Sequence, residues 1–254
     1  DHSGHNHESE GQAMPKPPKQ GKLYIMTEEH SESLASLLVL DRDGRFIPMH
    51  TLCDKILRKL HRSQSFKDYN AVQTVMSMHM FRDYWLHEPI VYVSTKGGFR
   101  EEIGVESYAS FLDLLDEDTG DFLFAELYEK AHRMKESERG EREKQVIKLH
   151  ERFEVLLQIF SNDWGFIKLL PKAGDNSNSW VPILHHGIDS KEFQVSVNYF
   201  GALNEAAMGT GTYDEAEKNL QILKDFQRER GGTALPSESA VKVEIRYNKM
   251  NIFK

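Results

Sequence analysis

The stretch Gly44–Arg62, "GRFIPMHTLCDKILRKLHR", changes from an extended to a helical pattern. The apolar run "SLLVL" before it, the turn residues Asp41–Gly44 and "RFIPM" predict a strand pair. Thr51 is the predicted N-cap of the helix that follows, with Asp54 at the capping-box position. The predicted apolar face of this helix carries Leu52, Ile56, Leu57 and Leu60. A hairpin leading directly into an amphipathic helix is therefore expected here.

Helical periodicity dominates the rest of the chain. It is clearest over residues 123–161, where apolar residues recur every three or four positions and Gly140 is expected to divide two helices. Further helices are predicted over 67–81 with an Asp68 cap, over 105–116, and after Pro236 with a Ser237 cap. Short apolar runs, among them 22–26, 88–94, 165–171 and 179–183, predict strands. The predicted fold class is α+β, mainly α-helical with a small mixed or antiparallel sheet.

The domain organisation follows from composition. Residues 1–21 are rich in His, Gly and Pro and have almost no large apolar residue, so we expect a flexible linker. Residues 22–254 are expected to form a single mainly helical domain, with a possible subdivision near 120–140. Asp1 follows no initiator Met or signal peptide, and we expect the chain to be a piece of a larger protein.

The charge balance narrows the choice of partner. The 254-residue chain has a net charge of −8, which argues against nucleic acid and favours a basic protein partner. Its mean hydropathy is −0.57, and no run approaches the roughly 18 apolar residues of a membrane span.

Cys53 is the only cysteine, which excludes an internal disulfide, a Cys-x-x-Cys redox pair and a cysteine-rich zinc site. Covalent haem attachment is excluded as well, because it needs two thiols in Cys-x-x-Cys-His. Two interpretations remain open. Cys53 is either a nucleophile with His50 as its base, or a small apolar residue near a helix N-terminus.

Two histidine groups are candidate metal ligands. His2, His5 and His7 have chelating spacing on the predicted linker, although a solvated linker that binds metal adventitiously has the same pattern. His185 and His186 are adjacent, but no carboxylate or third histidine lies at a ligand spacing from them. Walker, zinc-peptidase and Gly-x-Ser-x-Gly patterns are all missing from the sequence, so no catalytic residue is predicted.

Two longer segments carry a family resemblance. The first, "LLVLDRDGRFIPMHTLCDKILRKLHR" followed by "YNAVQTVMSMHMFRDYWLHEPIVYV", resembles the soluble domain of system II cytochrome c biogenesis proteins of the ResB–CcsA fusion type. Its motif residues are Gly44, Arg45, Pro48, Thr51, Leu57, Arg58 and Lys59, followed by Trp85, Pro89 and Ile90. The second segment, "QILKDFQRERGGTALPSESAVKVEIRYNKMNIF", resembles the part of the family just before its membrane helices resume.

The resemblance covers residues 30–254 and implies a periplasmic domain of a bacterial inner-membrane haem lyase. Haem is implied for the parent protein, whereas no cofactor is implied for this part of it. Implied partners are apocytochrome c and the membrane-embedded parts of the same protein. "NDWGF" around Trp164 does not match the family's tryptophan-rich haem-handling loop, so no catalytic residue carries over.

Three functional hypotheses follow. The first is an accessory or docking domain for cytochrome c biogenesis. The alternative is a metal- or haem-binding carrier that uses the N-terminal histidines or His185 and His186. The third is an enzyme with Cys53 as its nucleophile.

Overall fold

The computed structural model describes residues 19–161, 166–171, 180–183 and 190–250. Ten α-helices are described in these ranges: α1 (Glu28–Leu34), α2 (Met49–His61), α3 (Ala71–Met80), α4 (Arg82–Trp85), α5 (Phe99–Ile103), α6 (Ala125–Arg133), α7 (Glu141–Phe160), α8 (Lys191–Met208), α9 (Tyr213–Arg230) and α10 (Glu238–Met250). None of these helices combines the length and the apolar character needed to cross a bilayer.

The described strands form four separate antiparallel pairs. They are β1 (Leu38–Leu40) with β2 (Phe46–Pro48), β3 (Ser65–Phe66) with β4 (Tyr69–Asn70), β5 (Val91–Tyr92) with β6 (Tyr108–Ala109), and β7 (Leu170–Pro171) with β8 (Trp180–Val181). The predicted mainly helical α+β class is confirmed, with small antiparallel hairpins as its β component.

The hairpin before α2 forms as predicted, but the predicted cap of α2 is wrong. The helix begins at Met49 after an extended Pro48, two residues before Thr51. The N–H groups of Met49 and His50 donate to the carbonyls of Leu37 and Ala35, at 2.7 and 3.0 Å. The start of the helix is thus satisfied by backbone from the preceding segment, and the Thr51 side chain is left for another contact.

The cap of α3 is also displaced from its predicted position. Asn70, not Asp68, caps the helix, in a reciprocal capping box with Gln73. The predicted strand over 22–26 is wrong: these residues pair with no described strand, and α3 side chains bond to two of their carbonyls. Ser77 Oγ donates to the Tyr24 carbonyl at 2.7 Å, and Gln73 Nε2 donates to the Met26 carbonyl at 2.8 Å.

The predicted helix over 105–116 is wrong. Tyr108 and Ala109 instead pair with β5, and a single 3-10 turn follows over Leu112–Leu114. The N–H of Ser110 donates to the Asp113 carboxylate while the Asp113 N–H donates to the Ser110 hydroxyl. Tertiary pairing with β5 therefore overrides the local helical pattern.

The long periodic segment behaves as predicted. It forms α6 and α7, with Gly140 at the N-cap of α7. The main hydrophobic core contains buried residues from both sides of the possible subdivision near 120–140, for example Met76 and Leu156. Val146, Leu149, Phe153, Leu156, Ile159 and Phe160 are the buried residues of α7. This helix thereby contributes a continuous face to the core.

Candidate functional site

Cys53 lies inside the core on α2, with 0% of its surface exposed. Burial, together with the nearby Asp54 carboxylate, raises the pKa of the thiol far above its usual range. His50 is 9% exposed, and burial lowers the pKa of its imidazole. Among the described contacts, no hydrogen bond joins Cys53 to His50. This environment disfavours a thiolate nucleophile and fits a core cysteine.

The other predicted ligands lie outside the described residues. His2, His5 and His7 precede residue 19, and both His185 and His186 fall in the gap after Ile183, as Trp164 does in an earlier gap. Within the part of the chain that the structure describes, no group of three or more His, Cys, Asp or Glu side chains has the geometry of a metal site. The two histidine groups therefore stay predictions.

A buried imidazole missed by the sequence reasoning lies on α1. His30 Nδ1 is 2.7 Å from Glu217 Oε1 on α9, and its Nε2 is 3.1 Å from the Tyr199 hydroxyl on α8. A carboxylate only accepts, so Nδ1–H donates to Glu217 and Nε2 accepts from Tyr199. Burial lowers the pKa of His30 against the opposing effect of Glu217. Burial also raises the pKa of Tyr199, whose side chain is 0% exposed.

This carboxylate–imidazole–phenol series resembles a proton relay, but its terminal hydroxyl is closed to solvent. It joins α1 to the consecutive helices α8 and α9 near the other end of the sequence, which is a structural role. The sequence around His30 does not predict these contacts. The segment of α1 has one histidine among charged residues, and its partners lie 169 and 187 positions away.

The residues that carry the family motif meet α10. Arg45 Nη2 and the Thr51 hydroxyl both donate to Glu244 Oε1, each at 2.9 Å. Asn248 Nδ2 donates to the Thr51 hydroxyl at 2.9 Å. We call these four residues the α2–α10 seam. The two segments of the resemblance, almost 200 positions apart, are in direct contact at this seam.

Other motif residues have structural roles around the seam. Gly44 has φ +77° in the β1–β2 turn, a conformation that favours glycine. Arg58 donates to Asp54 at 2.8 Å within α2, and Lys59 forms an ion pair with Glu151 on α7. Trp85 is buried and donates from Nε1 to Ser77 Oγ at 2.8 Å. Among these contacts the Lys59–Glu151 pair joins α2 to α7, whereas the others stabilise the turn, α2 itself and the packing of Trp85 on α3.

An open groove lies between the β1–β2 turn, α2 and α7, with a cavity volume of about 400 Å³. Its floor is apolar and its rim is mostly basic. The lining residues are Leu40, Asp41, Arg42, Asp43, Ile47, Leu52, Lys55, Ile56, Lys59, Val155, Gln158, Ile159, Phe166 and Lys168. The volume lies within the range typical of small-molecule sites, roughly 300–1,000 Å³.

Haem, the group that the family resemblance implies for the parent, does not fit this groove as a ligated cofactor. None of the lining residues is a histidine, cysteine, methionine or tyrosine, the usual ligands of haem iron. The imidazoles of His30, His61 and His79 bond to protein groups instead, through Glu217 and Tyr199 for His30 and through backbone carbonyls for the other two. The described residues therefore supply none of the usual axial ligands in this cavity.

A second basic feature lies beside α2. The guanidinium groups of Arg62, Arg100 and Arg152 lie 4.9, 5.7 and 5.7 Å from the centre of the Tyr92 ring. Arg152 also donates to the carbonyls of Lys59 and Lys148. Burial and the nearby Arg62 lower the pKa of Arg152. Cation–π contacts and backbone carbonyls thus hold like charges together.

Comparison with known proteins gives one informative similarity. The chain is 29% identical over 231 residues to protein NrfI of Wolinella succinogenes, a match that covers 89% of this chain and 25% of NrfI. No protein-family model matches the chain. The similarity agrees with the resemblance to system II cytochrome c biogenesis proteins and leaves the ResB–CcsA fusion type a prediction. The chain spans only a quarter of the length of this relative.

Proposed function

We propose that this chain is an extracytoplasmic accessory domain of a system II cytochrome c biogenesis protein, on the periplasmic side of a bacterial inner membrane. It contacts apocytochrome c or organises the membrane-embedded parts of its own protein. The observation that carries the proposal is the α2–α10 seam, where the two segments that resemble this family meet. The similarity to NrfI over 89% of the chain supports the part of the proposal that concerns cytochrome c biogenesis.

The chemistry of the described residues favours binding over catalysis. Cys53 is enclosed and its thiolate disfavoured, and the His30 series ends on a buried phenol. The net charge of −8 suits electrostatic attraction of a basic protein partner. Haem attachment is assigned to other parts of the parent protein.

Deletion of residues 30–254 from the full-length parent tests the proposal. We expect loss of haem-stained cytochrome c while immunoblots still show the membrane parts of the parent. A parent that lacks only residues 1–21 is the matched control and is expected to keep cytochrome c assembly. Unchanged haem staining after the larger deletion would show the proposal to be wrong.

A binding experiment separates the two forms of the role. The purified chain is titrated with an apocytochrome c peptide that contains Cys-x-x-Cys-His, and separately with the solubilised membrane parts of the parent. Saturable binding to the peptide that weakens with salt supports apocytochrome recognition. Binding only to the membrane parts supports the organising role.

The carrier hypothesis remains an alternative prediction, because its histidines lie outside the described residues. Titration with zinc and with haem tests it. A stoichiometric endpoint that disappears when His2, His5 and His7 are all changed to alanine, or when His185 and His186 are, would support it. Without saturable binding this alternative is wrong.

A further inference from the structure

The groove between the β1–β2 turn, α2 and α7 has a floor of apolar side chains that the described chain leaves partly uncovered. Leu52 and Ile56 lie one turn apart on α2, and Val155 belongs to α7. All three are partly exposed although they pack against the main core. An apolar depression of this size that remains open to solvent is typical of a ligand site.

The rim of the groove is basic on an acidic protein. Four basic and two acidic side chains line it, whereas the whole chain has a net charge of −8. The basic residues are Arg42, Lys55, Lys59 and Lys168. This local excess of positive charge is suited to an anionic group above an apolar floor.

The rim cations differ in how far they are neutralised. Lys59 forms an ion pair with Glu151, and Lys55 lies 3.5 Å from Asp41 Oδ2. Although burial opposes it, the N–H of Arg45 and the Lys55 ammonium lower the pKa of Asp41, so this carboxylate stays charged. Lys168 forms no ion pair with any residue that the structure describes. Lys168 is therefore the rim cation most available to an external anion, and Lys55, whose contact with Asp41 is long at 3.5 Å, is the more available of the two paired lysines.

We propose that the groove binds an amphiphile with one apolar chain and an anionic head group, either a carboxylate or a phosphate ester. The apolar chain lies against Leu52, Ile56 and Val155, and the head group lies beside Lys168 and Lys55. The cavity volume is that of a small ligand, which favours this occupant over a second protein chain. The inference rests on the groove alone and is independent of the role in cytochrome c biogenesis.

Isothermal titration calorimetry of the purified chain tests the ligand class. The titrants are decanoate, decanol and lysophosphatidylglycerol, the last in a solution free of vesicles. We expect saturable binding of an anionic amphiphile and at least tenfold weaker binding of decanol, because the neutral alcohol gains no charge-assisted contact. Decanoate binding identifies a free fatty acid as the source, and lysophospholipid binding identifies a lipid head group. Equal binding of decanol, or binding of neither anion, would overturn the proposal.

Substitutions locate the site. Lys55→Gln with Lys168→Gln is expected to weaken binding about tenfold, and Lys168→Arg alone to leave it nearly unchanged. Val155→Trp, which fills the floor, is expected to abolish binding. Lys130→Gln with Lys135→Gln, at two exposed lysines, also removes two positive charges and is the charge-matched control.

Each variant is first checked for an unchanged thermal midpoint. Equal weakening by the double variant Lys130→Gln, Lys135→Gln would reveal non-specific charge attraction and overturn the assignment of the site. A concentration-dependent dimer that Val155→Trp disrupts, with no amphiphile bound to the wild-type chain, would assign the groove to a second copy instead.

Discussion

The Thr51 hydroxyl donates to the Glu244 carboxylate at 2.9 Å and joins α2 to α10 across 193 positions of sequence. The same hydroxyl accepts from Asn248 Nδ2, also at 2.9 Å. Thr51 is thus a link between helices and not the helix cap that its sequence position suggests. Because the Thr51 side chain does not cap α2, it is available to contact Glu244 and Asn248. These contacts attach α10 to the rest of the fold.

Thr51→Val tests this link because valine keeps the shape and removes the hydroxyl. We expect a loss of about 1–2 kcal/mol in the free energy of unfolding, since two hydrogen bonds are lost and Glu244 keeps its contact with Arg45. Amide hydrogen exchange of α10 is expected to accelerate. Thr95→Val, at an exposed threonine, is the control and should change neither quantity. Unaltered α10 exchange in Thr51→Val would contradict the link.

A substitution of Gln227 on α9 is expected to lower the free energy of unfolding more than Thr51→Val does. Gln227 Nε2 donates to the Leu38 and Leu169 carbonyls at 2.8 and 2.9 Å, and its Oε1 accepts from the Leu38 N–H at 3.2 Å. Leu38 and Pro48 form a non-hydrogen-bonded pair of the hairpin, so the Leu38 N–H and carbonyl point away from β2, and Gln227 satisfies both groups.

Gln227→Leu leaves these buried backbone groups without partners and is expected to destabilise the protein by about 3 kcal/mol. Urea unfolding measures the change. Gln221→Leu, at an exposed position of the same helix, is the matched control, for which a change within about 0.5 kcal/mol is expected. Similar values for both variants would contradict the bridging role of Gln227.

Stability is expected to fall as the pH drops from 7.5 to 5.5. Burial lowers the pKa of His30 in the folded state, so the unfolded chain, with a histidine pKa near 6.5, takes up protons that the folded chain resists. The neutral imidazole therefore stabilises the fold above this pH, and the contribution is lost progressively below it. His50, His61 and His150, whose pKa values burial also lowers, act in the same direction.

His30→Gln is expected to reduce the difference in unfolding free energy between pH 7.5 and pH 5.5, measured in urea. His132→Gln, at an exposed histidine, is the control and should preserve the wild-type difference. A pH dependence that His30→Gln leaves intact would assign the titration to the other buried histidines.

Cys53 is expected to react slowly with iodoacetamide in the native protein near neutral pH. Its side chain is enclosed and the pKa of its thiol raised, so both access and the thiolate population are reduced. Labelling is expected to become fast in 6 M urea. Mass spectrometry measures the labelling. Rapid labelling of the native protein would favour the nucleophile hypothesis instead, and Cys53→Ala would then be assayed for loss of activity.

The periodicity of the sequence was sufficient for the major helices. The break at Gly140, the α7 face and the hairpin before α2 all follow from residue spacing, because helix and strand each repeat with a fixed period. The first residues of the helices are harder to predict from the sequence. Thr51 and Asp68 have suitable side chains for caps, but the carbonyls of Leu37 and Ala35 accept from the first N–H groups of α2, and Asn70 caps α3.

The sequence by itself determined a mainly helical chain with one cysteine, an acidic surface and the segments that resemble a biogenesis family. Only the tertiary structure decided that Tyr108 pairs with β5, that Cys53 is enclosed, and that Thr51 meets Glu244. These outcomes depend on contacts between residues far apart in the chain, and local pattern contains no information about which distant group will satisfy a given backbone or side-chain donor. The basic groove arises in the same way, since folding brings Lys168 beside α2.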